Sequence, residues 1–238
     1  MTGRWIPPRE AQNGGVTVGV QLLVPIKPLH LAKTRLRTER TLPEEHAELV
    51  TALAMDTVLA AATAERVREV LVVTSDPALT HRFRELGVEV LPDSPRAGLN
   101  AALRHGDHLL GERGTKVRIG ALQADLPALR GTELDGAIAE AGSERSYCAD
   151  RQGTGTTLLL ASAGEALRPG FGTDSAAAHH ESGAKALLGS WASLRCDVDT
   201  ETDLRAAEEL GLGSHTRKLP RGNESRPSRS EIGCSGMM

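Results

Sequence analysis

The chain has 238 residues, 39% hydrophobic and 25% charged, the size and balance of one globular domain able to bury its own core. A formal net charge of −3 gives no field for gripping a long polyanion, and Trp5, Trp191, Tyr147, Phe83 and Phe171 are too few rings for a base-stacking platform. Nucleic acid is therefore set aside as a partner, whereas small anionic substrates held by a local cluster are not.

Cys148, Cys196 and Cys234 are odd in number and have no C-x-x-C spacing, which argues against a disulfide framework and a thiolate zinc site. The opening residues hold no signal-like apolar run and no window suits a membrane span, so a soluble cytoplasmic protein is expected.

Residues 1–15, with Gly3, Pro7, Pro8, Gly14 and Gly15, and residues 214–238, rich in Ser, Arg and Gly, lack apolar periodicity. Both are expected to be disordered flanks of one domain over 16–213. A β-rich strand over 16–24 opens that domain, followed by a helix over 44–62 with Leu49, Val50, Leu53 and Val58 on one face and Pro43 at its first position. The pattern continues with a buried strand over 70–74, a helix over 77–86 closed by Gly87 and a strand over 88–91. A helix over 98–110, a strand over 117–123 and a helix over 132–141 capped by Thr132 come next.

Strands over 147–150 and 156–161 flank a glycine turn and should pair antiparallel. A short helix over 176–180, a strand over 193–198 and a helix over 200–210, with Thr200 as cap and Asp203 at its third position, complete the series. Strand–helix alternation with short buried strands predicts an α/β three-layer sandwich around a mostly parallel sheet. In such sheets ligands sit beyond the carboxyl ends of the strands, so polar residues that follow apolar strands are the ones to weigh.

Four segments qualify. After the first strand, Pro25-Ile26-Lys27 leads to Ala32-Lys33-Thr34-Arg35-Leu36, where Lys27, Lys33 and Arg35 could offset a triphosphate; a solvated basic loop would look the same. Neither a P-loop nor a G-x-G-x-x-G is present. Asp125 follows an apolar strand in Gln123-Ala124-Asp125-Leu126-Pro127, a position suited to ligating Mg²⁺ or to capping the next turn. Asp197 and Asp199 in Cys196-Asp197-Val198-Asp199-Thr200 are two apart on a strand and face one side, which with Asp125 suits a divalent-metal site; Asp199 could equally serve as the anion at a helix N-terminus. The fourth is Asp150-Arg151-Gln152-Gly153-Thr154-Gly155-Thr156-Thr157 with the loop Phe171-Gly172-Thr173-Asp174-Ser175, whose hydroxyls and amides suit a phosphate or carboxylate oxygen, or only a hairpin turn and a helix cap. His179 and His180 are adjacent and diverge by about 100° on a helix, so a solvent-facing or capping role is expected of them. No G-x-S-x-G supports a hydrolase triad.

Taken together, in order over about residues 18–212, these motifs resemble the guanylyltransferases of coenzyme F420 biosynthesis, and within them the actinobacterial branch that uses phosphoenolpyruvate. The resemblance implies a Rossmann-like single domain of the nucleotide-diphospho-sugar transferase kind and the condensation of GTP with phosphoenolpyruvate, releasing pyrophosphate. It implies Asp125 and Asp197 as Mg²⁺ carboxylates, Thr157, Gly172 and Ser175 as the residues that hold phosphoenolpyruvate, and Lys27, Lys33 and Arg35 at the triphosphate. By position, Lys27 and the turn of Gly98 and Asn100 would contact the nucleotide. The glycine-rich opening loop of sugar-nucleotide relatives is replaced here by Pro-Ile-Lys. Acceptors differing by a few atoms, 2-phospho-L-lactate or 3-phosphoglycerate, and nucleotide binding without turnover are the alternatives. A homodimer through an apolar helix face is compatible with the sequence.

Overall fold

The computed structural model describes residues 19–33, 36, 42–114 and 117–220. The expected N-terminal flank 1–15 and Arg35 lie outside them. β1 (Val20–Pro25) leads to α1 (Pro43–Ala62), β2 (Val67–Thr74), α2 (Pro77–Glu85), β3 (Glu89–Pro92), α3 (Leu99–Glu112) and β4 (Arg118–Leu122). After α4 (Gly131–Ala141) come β5 (Ser146–Ala149), β6 (Thr156–Leu160), α5 (Ser175–Glu181), β7 (Lys185–Ala186), α6 (Ala192–Arg195), α7 (Glu201–Leu210) and α8 (Ser214–Arg217).

The strands form one seven-stranded sheet in the order β3-β2-β1-β4-β6-β5-β7. β1 runs parallel to β2 and β4, and β2 to β3, while β6 is antiparallel to both β4 and β5 and β7 is parallel to β5. The expected α/β architecture and the antiparallel β5–β6 pair are therefore present.

Both faces of the sheet are covered, which is why its strands read as apolar runs without a polar alternation. Val20, Leu22, Val24, Val70, Val72, Leu158 and Leu160 pack with α1 and α4 side chains on one face. Leu23, Leu71, Val73, Ala121 and Leu159 pack with Leu103 and Leu110 of α3 on the other. α3 approaches closely at Gly106, where a Cβ would sit 3.1 Å from both methyls of Leu23. No described helix is long and apolar enough to cross a membrane.

Three expectations are corrected. Residues 193–198 form no strand: α6 ends at Arg195 and an extended segment follows with no sheet neighbour, because the edge is already taken by β7 against β5. Thr132 does not cap α4, which begins at Gly131 with Arg130 at its N-cap. There the helix start lies so close to α1 that a Cβ on Gly131 would collide with the Thr63 hydroxyl. The polar tail does not begin at 214, since Ser214–Arg217 is helical and its start is gripped by the buried Asp56 of α1, whose carboxylate accepts from the His215 and Thr216 amides at 2.9 and 2.7 Å. Residues 221–238 lie outside the described residues.

Candidate active site

The carboxyl ends of β1 and β4 lie side by side, and the loops leaving them carry the first two sequence candidates. The loop after β4 is fixed from three directions. Gln123 donates its amide to the Thr157 carbonyl on β6 at 2.9 Å. The buried Thr57 hydroxyl of α1 accepts the Leu126 amide at 2.9 Å and donates toward the carbonyls of Leu53 (2.8 Å) and Ala124 (3.2 Å). Gly213 donates to the Pro127 carbonyl at 2.8 Å.

One further backbone bond, from the Val198 amide to the Asp125 carbonyl at 3.0 Å, lays residues 196–199 along this loop. Cys196 and Val198 are buried, so the period of two turns Asp197 and Asp199 the other way. Thr200 and Asp203 form the expected capping box at the start of α7, which ends the extended segment just past Asp199.

Lys33 joins the set. Its ammonium is hydrogen-bonded to Asp125 Oδ2 and, at 2.5 Å, to Asp199 Oδ1. The loop that delivers it is tied down by Ile26 N–H to the Val73 carbonyl (2.9 Å), Leu29 N–H to Asp76 (3.0 Å) and the buried His46, whose Nε2 donates to the Ala32 carbonyl at 2.8 Å. Burial alone would lower the Lys33 pKa, but the charges of Asp125 and Asp199 and their hydrogen bonds outweigh it and hold the pKa above the ordinary lysine value. Asp197 is pushed up to about 7, first by burial and then by the neighbouring charges of Asp125, Asp150 and Asp199.

Such a crowd of carboxylates calls for positive charge beyond one ammonium. Asp125 Oδ1 is buried with no hydrogen-bond partner, an orphaned hard oxygen of the kind Mg²⁺ takes. The donor chemistry therefore fits a divalent cation, although among the described residues no three His, Cys, Asp or Glu side chains already converge in a metal-holding group.

A second polar patch lies beside the first, joined to it where β6 meets the β4 loop. Thr157 is buried on β6 and its hydroxyl donates to the Cys148 carbonyl at 3.4 Å. Asp150 accepts the Thr154 and Gly155 amides at 2.9 and 2.8 Å, so close that a Cβ on Gly155 would collide with its carboxylate. Across from this turn, Ala176 at the start of α5 donates to the Thr154 carbonyl at 3.0 Å, and the buried Ser175 hydroxyl donates to Thr156 Oγ1 at 3.2 Å. Gly172 is exposed, with a φ of +150° that favours glycine.

Other candidates are placed differently. Lys27 is exposed just past β1. Gly98, with φ +93°, precedes α3. Asn100 does not offer its side chain to a ligand: its Oδ1 accepts the Phe171 amide and its Nδ2 donates to the Phe171 carbonyl, both at 2.8 Å, so it holds the Phe171–Ser175 loop.

His179 also departs from expectation. It is fully buried beneath that loop, with a ring nitrogen 2.9 Å from Thr156 Oγ1 and the other accepting the Gly170 amide at 3.0 Å. The signal that could have found it is its spacing from Ser175, four residues earlier on the same helix face. Thr57 and His46 carry no sequence signal of their own as partners of the site, whereas Asp150, at the head of the glycine-threonine stretch, anchors its turn.

Burial first, and then the Arg145 charge, depress the His179 pKa to about 4. Above about pH 6.5 the residue is neutral both folded and unfolded, so its contribution to stability is complete; as pH falls toward 4 only the unfolded chain takes up the proton. The unfolding free energy from urea titration should therefore decline between these values, by on the order of 3 kcal/mol in all at about 1.4 kcal/mol per pH unit. Subtracting the same titration of His179→Gln isolates this component, and equal slopes in the two proteins would remove it.

The family described as "Guanylyl transferase CofC like" matches residues 20–221. Over 202 residues the chain is 50% identical to a phosphoenolpyruvate guanylyltransferase of Salinispora arenicola, covering 83% of this chain and 92% of that protein. It is 42% identical over 215 residues to the protein of the same name from Mycobacterium leprae, covering 87% and 96%. Among solved structures, a protein of Desulfovibrio desulfuricans G20 assigned to the nucleotide-diphospho-sugar transferases superposes with a TM-score of 0.61 at 18% identity, covering 84% of this chain and 90% of that one. A 4-diphosphocytidyl-2C-methyl-D-erythritol synthase follows at 0.55 and 17%, covering 82% and 99%. The last two establish the fold, and the first three, taken with the carboxylates and lysine gathered past β1 and β4, establish that the chain is a nucleotidyltransferase belonging to the CofC-like guanylyltransferase family.

Proposed function

We propose that the protein condenses GTP with phosphoenolpyruvate, as a step in coenzyme F420 biosynthesis in the cytoplasm. The observation that carries this reading is the Asp125–Lys33–Asp199 cluster with Asp197 beside it, at the carboxyl edge of the sheet. A phosphate oxygen of phosphoenolpyruvate forms a bond to the α-phosphorus of GTP as the bond to the β-phosphate oxygen breaks. The products are enolpyruvyl-diphospho-guanosine and pyrophosphate.

The nucleophile is already an anion, so no general base is required, and the protein's task is to bring two polyanions into line. Lys27, Lys33 and Arg35 would screen the triphosphate, with the Gly98 turn on the nucleotide side. Asp125 and Asp197, with Asp199 beside them, would hold Mg²⁺. Bound there, Mg²⁺ supplies charge neutralisation and Lewis-acid polarisation at the phosphate oxygens. Thr157, Gly172 and Ser175 would hold phosphoenolpyruvate, Gly172 through its backbone amide and Thr157 and Ser175 by turning to it the hydroxyl protons that otherwise go to the Cys148 carbonyl and Thr156 Oγ1.

Pyrophosphate release with GTP, Mg²⁺ and each of phosphoenolpyruvate, 2-phospho-L-lactate and 3-phosphoglycerate tests the proposal. Phosphoenolpyruvate should give the highest kcat/KM. Faster turnover of another acid reassigns the acceptor, and silence with all three leaves a nucleotide-binding protein without turnover.

A further inference from the structure

We propose that His179 is a positioning residue for the acceptor subsite, holding the 170–175 loop in register with β6 through one hydrogen bond from each ring nitrogen. The inference rests on the reading that Thr157, Gly172 and Ser175 bind phosphoenolpyruvate.

Nε2 receives the Gly170 amide at 3.0 Å, and a ring nitrogen that accepts carries no hydrogen. The single proton of the neutral ring is then on Nδ1 and is donated to Thr156 Oγ1 at 2.9 Å. The same Thr156 oxygen receives the Ser175 hydroxyl at 3.2 Å, so both of its lone pairs are engaged from α5.

The ring is also gripped by shape. Phe171 meets it edge-on with centroids 5.0 Å apart, and the Ala184 amide and Ser182 hydroxyl fix the His179 carbonyl at 3.0 and 2.9 Å. Gly172 therefore follows directly on two clamped residues, Gly170 held by His179 and Phe171 held by Asn100. Neither clamp presents its side chain to the ligand. Loosening His179 should displace the acceptor's anchoring points while leaving the triphosphate side, built on β1 and β4, undisturbed.

His179→Gln has the reach to keep an acceptor for Gly170 and loses the Thr156 bond, whereas His179→Asn keeps a donor near Nδ1 and loses the Gly170 bond. Each should raise KM for phosphoenolpyruvate ~10-fold, the equivalent of one net hydrogen bond, with kcat and KM for GTP within about twofold of wild type. Side-chain NMR of the wild-type protein at neutral pH should report the Nδ1–H tautomer. An Nε2–H tautomer, or unchanged KM for phosphoenolpyruvate in both variants while Ser175→Ala raises it, overturns the role of His179. Unchanged KM in both Ser175→Ala and Thr157→Ala overturns the subsite reading beneath it.

Discussion

Asp125→Asn and Asp197→Asn should each cut pyrophosphate release by ~10²–10³-fold, the usual loss when one strong electrostatic stabiliser is removed from a reacting centre. The two should part company in stability. Asp125 neutralises Lys33 directly, and its loss leaves a largely buried ammonium with Asp199 alone. Among the described residues Asp197 makes no such ion pair, and its charged form is disfavoured by burial and by Asp125, Asp150 and Asp199, which together outweigh the opposing charge of Lys33. An amide at 197 relieves that repulsion, so Asp197→Asn should unfold at a urea concentration equal to or above wild type at pH 8 while its turnover collapses, a trade of stability against activity. Near-normal turnover in both variants would remove these carboxylates from the reaction, and a marked stability loss in Asp197→Asn would show that its charge is paired in solution.

The largest expected stability effect lies away from the chemistry. Asp56→Ala removes the acceptor for two amides at the start of α8, one buried and one half-buried, at about 1.5–3 kcal/mol for each hydrogen bond to a charged group. A loss of ~3–5 kcal/mol, a large fraction of a typical domain's stability, is expected in urea titration. Ending the chain at 213 should do comparable damage, because it strands a buried carboxylate. Wild-type midpoints in both proteins would mean that α8 does not pack as described.

How much of this was legible in the sequence depends on the range of the contacts involved. The capping box of Thr200 and Asp203, Pro43 at the first position of α1 and the apolar runs of β1, β2, β4 and β6 are local signals, and each is found where its pattern places it, whereas the run over 193–198 is not a strand. The motif segments were legible too, because polar residues just past apolar strands stand out. What failed was long-range. The two-residue β7 exists because β5 offers an edge, and the extended 196–199 segment is held by a single backbone bond to Asp125. Asp56 reads as an interruption in an apolar helix until its partners, about 160 residues away, are in place. His179 has only His180 beside it in the chain, while its working partners are Thr156 and Gly170.

The stitch between Val198 and Asp125 also bears on the order in which the molecule is made. Every strand of the sheet is specified by residue 186, so a nascent chain can complete its scaffold while Asp197, Asp199 and the strap from Gly213 to Arg217 are still unmade. The carboxylate cluster is then assembled last, from the distal end of the gene onto a platform that already stands. A ribosome that stalls after β7 would leave a folded-looking sheet with Asp125 paired to Lys33 and the carboxylates of Asp197 and Asp199 still missing from the site.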